Sequence, residues 1–224
     1  MSVRAILFDL DGTLHDRAAT IRGWLVGHVE RHALPAGYAA RFTELDDFGY
    51  RPKREVLPQL VREFGLAYDP EMLLADFSEH SLAAPVAMPY THEVLREVLR
   101  ELRARSLRLG IVTNGWEEAQ PRCLEGCGLT GLVGDVVISK AVGLSKSDPA
   151  IYRLALNRLG VTAAQTWFVG DSPCNDVWGP GRVGLRTAYL PTGHALAGET
   201  PDVVLRDLRD VLTLPGLPLL PSSP

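Results

Sequence analysis

The sequence predicts an α/β fold, a parallel sheet covered by helices with a helical module inserted near its start. Three observations carry that prediction. Short apolar runs that read as buried strands recur along the chain, helix-period patterns separate them, and residues 16–86 show helical patterns alone. At 224 residues and 46% hydrophobic the chain is long for one ordinary domain, and it fits a core with an added module.

The first strand is expected at 4–9. Within the helical segment, Ile21, Leu25 and Val29 share one face, then Val56, Leu57, Leu60, Val61 and Phe64, then Met72, Leu73 and Phe77. Asp69 and Pro70 mark a helix start, aspartate as cap and proline in the first turn. Pro85 and Pro89 mark the end of the segment. Thr91 can cap a helix whose Val94, Leu95, Val98, Leu99 and Leu102 should cover the sheet. Further strands are expected at 107–113, 134–138, 166–171 and 185–190, with an edge strand at 202–205. A helix with Ile151, Leu154, Ala155 and Leu159 on one face lies between the third and fourth strands. Pro121 starts or kinks the helix after the second. The partition is therefore a core of 1–15 and 87–214, a helical module of 16–86, and a proline-rich tail at 215–224 expected to pack poorly.

Asp9 and Asp11 follow the first apolar run directly. Side chains alternate along a strand, so both carboxylates point the same way into the volume past its carboxyl end, where open α/β sheets bind ligands. Like charges near a core cost free energy unless a cation or donors answer them. An EF-hand is excluded, because that loop needs glycine where Leu14 sits and an acid where Thr20 sits. Three more groups follow strand-like runs: Thr113-Asn114-Gly115, Lys146 in Lys146-Ser147-Asp148-Pro149, and Gly170-Asp171 with Asp176 five residues after Asp171.

Together these motifs resemble the haloacid dehalogenase superfamily of phosphohydrolases across nearly the whole chain, in the branch with a helical cap between the first motif and the second. The resemblance implies a Rossmann-like core with helices on both faces of the sheet and 16–86 as the cap. Asp9 is then the nucleophile that forms an aspartyl-phosphate, and Asp11 the acid and base. Mg²⁺ is implied as cofactor, held by the Asp9 carboxylate, the Asp11 backbone carbonyl and Asp171, with Asp176 in the outer shell orienting Lys146 or a metal-bound water. Thr113, Asn114 and Lys146 are implied to hold the phosphate oxygens. Ser147 stands where these proteins commonly have proline, and Lys140-Ala141 where acids are common. Neither departure touches a reacting group. The expected activity is hydrolysis of a small phosphorylated metabolite. A 2-haloacid dehalogenase shares fold and nucleophile but lacks the second aspartate, a phosphomutase would need a bisphosphate activator, and a regulatory binding protein is expected only where a reacting group is missing.

Within the module, Asp46 to Glu55 carries Arg51, Lys53 and Arg54, basic groups that can read a leaving group or simply form a solvated helix start. A net charge of −4 and a pI near 5.9 offer no polyanion-binding surface, so nucleic acid is not expected as a structural partner. Cys123, Cys127 and Cys174 build no disulfide framework, and Cys174 is expected as a small buried residue. The six histidines read as surface residues, His28 and His32 lying one helical turn apart without an identifiable third metal ligand. Gly179 to Gly184 spells a dinucleotide fingerprint but precedes a strand instead of following one. The opening apolar run stops at Asp9, too early for a signal segment, and no run is long enough to span a bilayer. A cytoplasmic, membrane-free protein is expected.

Overall fold

The computed structural model describes residues 2–88 and 92–220. Two compact units are present: one of Met1–Asp16 with Ala87–Pro224, the other of Arg17–Val86. In the first, strands β1 (Ala5–Phe8), β2 (Arg108–Thr113), β3 (Asp135–Ile138), β4 (Thr166–Gly170), β5 (Arg186–Tyr189) and β6 (Val203–Val204) form one sheet in the order β3-β2-β1-β4-β5-β6. Every pairing is parallel. All residues of β1 and β4 are buried, as expected for central strands covered on both faces. Leu7, Val112, Val137 and Phe168 form one side's core with Ile151, Tyr152, Ala155 and Leu159.

This sheet order reverses direction between β1 and β4, and the crevice past their carboxyl ends is the place such sheets offer a ligand. Phe8 lies in register with both Ile111 and Val169, so the residues just after β1, β2 and β4 emerge side by side.

The second unit is helical: α1 (Arg17–Arg31), α2 (Tyr38–Asp46), α3 (Lys53–Glu63) and α4 (Pro70–His80). Its core joins Ile21, Trp24, Leu25, Tyr38, Phe42, Val56, Leu57, Leu60 and Leu73. The Asp69 side chain accepts from the Glu71 N–H and caps α4, with Pro70 at the first helical position. No periodicity had marked α2, a short helix entered through Gly37 at φ 87°.

Back in the first unit, α5 (His92–Ala104) buries Leu95, Val98, Leu99 and Leu102. α6 (Gln120–Gly126) carries Pro121 in its first turn, so that proline opens the helix without kinking it. After α7 (Ser139–Val142), α8 (Pro149–Leu159) is capped by Asp148, whose carboxylate accepts from the Ala150 N–H. Pro89, Thr91 and the last four residues of the tail lie outside the described residues. Among the described residues no helix is long and apolar enough to cross a membrane.

Three expectations are corrected. The tail begins pinned, because the Gly216 carbonyl accepts from Val3 N–H and the Pro215 carbonyl from the Trp167 indole, although Pro215, Gly216, Leu219 and Leu220 are exposed. His28 is fully buried, since Asp76 from α4 meets its Nδ1 at 2.7 Å. Cys174 is exposed: the turn after β4 aims Asp176 and Val177 inward instead.

Candidate active site

Asp9 leaves β1 with its backbone N–H still bonded to the Val169 carbonyl, which fixes the carboxylate at the crevice. Asp171 leaves β4, and two residues without side chains make room for it. A Cβ at Gly12 would lie 2.2 Å from Asp171 Oδ2, and one at Gly193 2.3 Å from it. Gly12 also sits at φ +87°, a conformation that side chains disfavour. Asp176 is held by the turn itself: the Ser172 N–H donates to its Oδ2 at 2.9 Å, and a Cβ at Gly170 would strike it at 2.3 Å.

Lys146 reaches this group from the loop before α8. Its Nζ donates to Asp9 Oδ1 at 2.6 Å and to Asp176 Oδ1 at 2.8 Å, so this lysine is a buried cation and not the solvated charge such a position usually carries. Asn114 positions it, since Lys146 N–H donates to Asn114 Oδ1 and Asn114 Nδ2 donates to the Lys146 carbonyl. That side chain, expected on phosphate, is thereby engaged at both ends with the lysine backbone. Thr113, at the end of β2, is buried beside Gln120.

One ammonium faces three carboxylates. Asp9, Asp171 and Asp176 bring ligand oxygens within 4.8 Å of one another, all buried. Burial and the Asp176 charge push the Asp9 carboxyl up to about 7 against the pull of Lys146. Burial, with Asp9 and Asp176 nearby, pushes Asp171 up to about 9. Burial works against the Lys146 ammonium, but Asp176 and Asp9 outweigh it and raise its pKa above the ordinary value. Buried oxygen donors that outnumber the neighbouring ammonium suit a hard divalent cation.

A model of the haloacid dehalogenase-like hydrolases matches residues 3–184. The chain belongs to that family. A phosphoserine phosphatase of Thermus thermophilus is 32% identical over 196 residues, covering 86% of this chain and 77% of that protein. A glyceraldehyde 3-phosphate phosphatase of Pyrococcus abyssi is 29% identical over 85% of this chain and 82% of its own length. Among solved structures, the HAD-hydrolase YfnB of Bacillus subtilis superposes with a TM-score of 0.80 at 22% identity, over 95% of this chain and 98% of that one.

Asp11, the remaining acid of this hydrolase's first motif, is partly exposed and is held on both oxygens. His15 Nδ1 lies 2.6 Å from Oδ1, and Gln120 Nε2 donates to Oδ2 at 3.1 Å and to Thr113 Oγ1 at 3.2 Å. Sequence reasoning assigned Gln120 no role and read His15, with the other histidines, as a surface residue, whereas it is fully buried. A polar residue closing the first-motif turn, and a glutamine five after Gly115, were the available signals. Two of the basic residues expected to read a leaving group are engaged within the helical unit: Lys53 pairs with the buried Asp46, which Arg17 grips at 2.6 and 2.9 Å, and Arg51 donates to Gln59, while Arg54 is exposed. Asp46 is thus a buried ion-pair centre and not part of a solvated helix start.

Proposed function

We propose that the chain is a Mg²⁺-dependent phosphatase of small phosphomonoesters that works through an aspartyl-phosphate on Asp9. The observation that carries this reading is the convergence of Asp9, Asp171 and Asp176, with Lys146 donating to Asp9 and Asp176 and with Asp11 two residues from Asp9. Relatives named for phosphoserine and glyceraldehyde 3-phosphate support the substrate class.

The donor set fits Mg²⁺, with Asp9, Asp171 and the Asp11 backbone carbonyl as its protein ligands and Asp176 behind them. When bound, the ion neutralises the carboxylates and the phosphate dianion that would otherwise repel one another. Asp9 attacks phosphorus, the bond to the leaving oxygen breaks, and Asp11 gives that oxygen its proton. Water then attacks phosphorus, the bond to Asp9 breaks, and Asp11 takes the water's proton, which restores both acids. Lys146 and Thr113 stabilise the nonbridging oxygens, and Asn114 acts through Lys146 by fixing its backbone.

Phosphate release from a panel of phosphorylated metabolites, with and without Mg²⁺, tests the reading. Release should require the ion and should be lost in Asp9→Asn, while 2-chloropropionate yields no chloride. Mg²⁺-independent turnover, or halide release in place of phosphate, would overturn it.

A further inference from the structure

The turn after β1 is closed by backbone hydrogen bonds. Gly12 N–H donates to the His15 carbonyl at 2.8 Å, while Thr13, Leu14 and His15 N–H groups all donate to Leu10. The imidazole of His15 contributes nothing to those bonds, yet it is fully buried, a placement that costs free energy unless its nitrogens are engaged. Its Nδ1 lies 2.6 Å from Asp11 Oδ1.

The other carboxylate oxygen has its own partner. Gln120 is buried, donates to Asp11 Oδ2 and ties it to Thr113, and its path is open because Gly115 lacks a side chain: a Cβ there would lie 1.9 Å from Gln120 Nε2. Asp11 is partly exposed, on a turn, and without restraint its carboxylate would sample several rotamers. We propose that His15 and Gln120 are positioning residues that clamp Asp11 from both oxygens and aim it at the leaving group. This rests on the acid and base role given to Asp11 above. An aimed acid matters in proportion to the basicity of the leaving oxygen, because proton transfer to a poor leaving group is worth more than to a good one.

The clamp is tested on the full chain with Mg²⁺ by single-turnover phosphoenzyme formation from phenyl phosphate and p-nitrophenyl phosphate, which differ in leaving group but little in size. His15→Leu should slow phenyl phosphate by about 30-fold and p-nitrophenyl phosphate by less than about 3-fold, with KM for both within about twofold. His15→Asn, which returns an N–H near the Nδ1 position, should recover most of the loss, and Gln120→Met should repeat the pattern more weakly. Gln120→Met also carries the test if His15→Leu does not fold. A merely structural His15 would lower both rates equally or only the melting temperature, and either result, like no loss at all, overturns the clamp. Asp11→Asn separates the two layers of the argument. If it fails to widen the gap between the probes, the acid assignment itself is wrong and the clamp falls with it. If it widens the gap and His15→Leu does not, only the clamp fails.

Discussion

Two buried aspartate centres, one in each unit, use the same residue type to opposite ends. In the helical unit, Asp76 accepts from Arg31 Nε at 2.8 Å and Nη2 at 2.9 Å, from the Trp24 indole at 3.1 Å, and meets His28 at 2.7 Å. Burial pushes its carboxyl up, but hydrogen bonds from Arg31 and His28 overcome that and hold it well below the ordinary range. At the sheet, Lys146 donates to Asp9 and Asp176 but not to Asp171 beside them, and burial raises Asp9 to about 7 and Asp171 to about 9. Asp76 has a complete set of partners within the chain and ties α1 to α4. The cluster at the sheet sets three carboxylates against the Lys146 ammonium, so ionising all of them disfavours the folded state and favours a divalent cation.

The sharpest way to break this contrast is to neutralise one aspartate in each cluster. Asp9→Asn should lower phosphatase turnover by about 10⁴-fold or more without loss of melting temperature, because the amide keeps the shape and removes an unfavourable charge. Activity within tenfold of the parent, after excluding deamidation, would remove Asp9 as nucleophile. Asp76→Asn should do the reverse. Breaking a buried ion pair from one side costs about 3–5 kcal/mol, measured by urea unfolding, while kcat for p-nitrophenyl phosphate stays within about twofold where the variant is folded. A large drop in kcat would make Asp76 part of the site.

Asp171→Asn sharpens the comparison, since it should be inactive and yet stabilise the chelator-treated protein by roughly 1–3 kcal/mol. The sign follows from proton binding. Asp171 is raised from 3.8 to about 9, so between those values the native state holds a proton that the unfolded state has released. Stability from this group is therefore present at low pH and lost as pH rises towards 9, and Mg²⁺ should flatten that loss. For Asp76, lowered from 3.8, the stability is present above that value and disappears as pH falls through the lowered one. Chelated wild type that gains stability between pH 5 and 9 by an amount Asp171→Asn lacks would contradict the assignment. The smallest effect is expected at Lys53, whose partner Asp46 also has Arg17. Lys53→Ala should cost about 1–2 kcal/mol and leave KM for p-nitrophenyl phosphate unchanged, whereas a tenfold rise would return Lys53 to substrate recognition.

Strands were legible because a buried parallel strand is a short apolar run between polar breaks, and each expected strand lies within one or two residues of an observed one. The site was legible at the same points, since Asp9, Thr113 and Asp171 each follow such a run. α2 was not: its buried Tyr38, Phe42 and Leu45 are too few over nine residues to establish a period. The histidines misread because a surface prior describes an average environment, and the partner of His28 stands 48 residues away on α4.

By itself the sequence determined what is local in chain order: which runs become strands, which carboxylates sit at their ends, which helices are capped and where. Side-chain alternation and caps act over a few residues and need no distant partner. Only the tertiary structure decided how charge is shared. Lys146 meets Asp9 across 137 positions and Asp176 across 30, Asn114 bonds the Lys146 backbone across 32, and Gln120 meets Asp11 across 109. Such pairings follow from sheet order and register, and burial then converts a few ångströms of separation into the difference between an anchored aspartate and one whose charge remains unanswered.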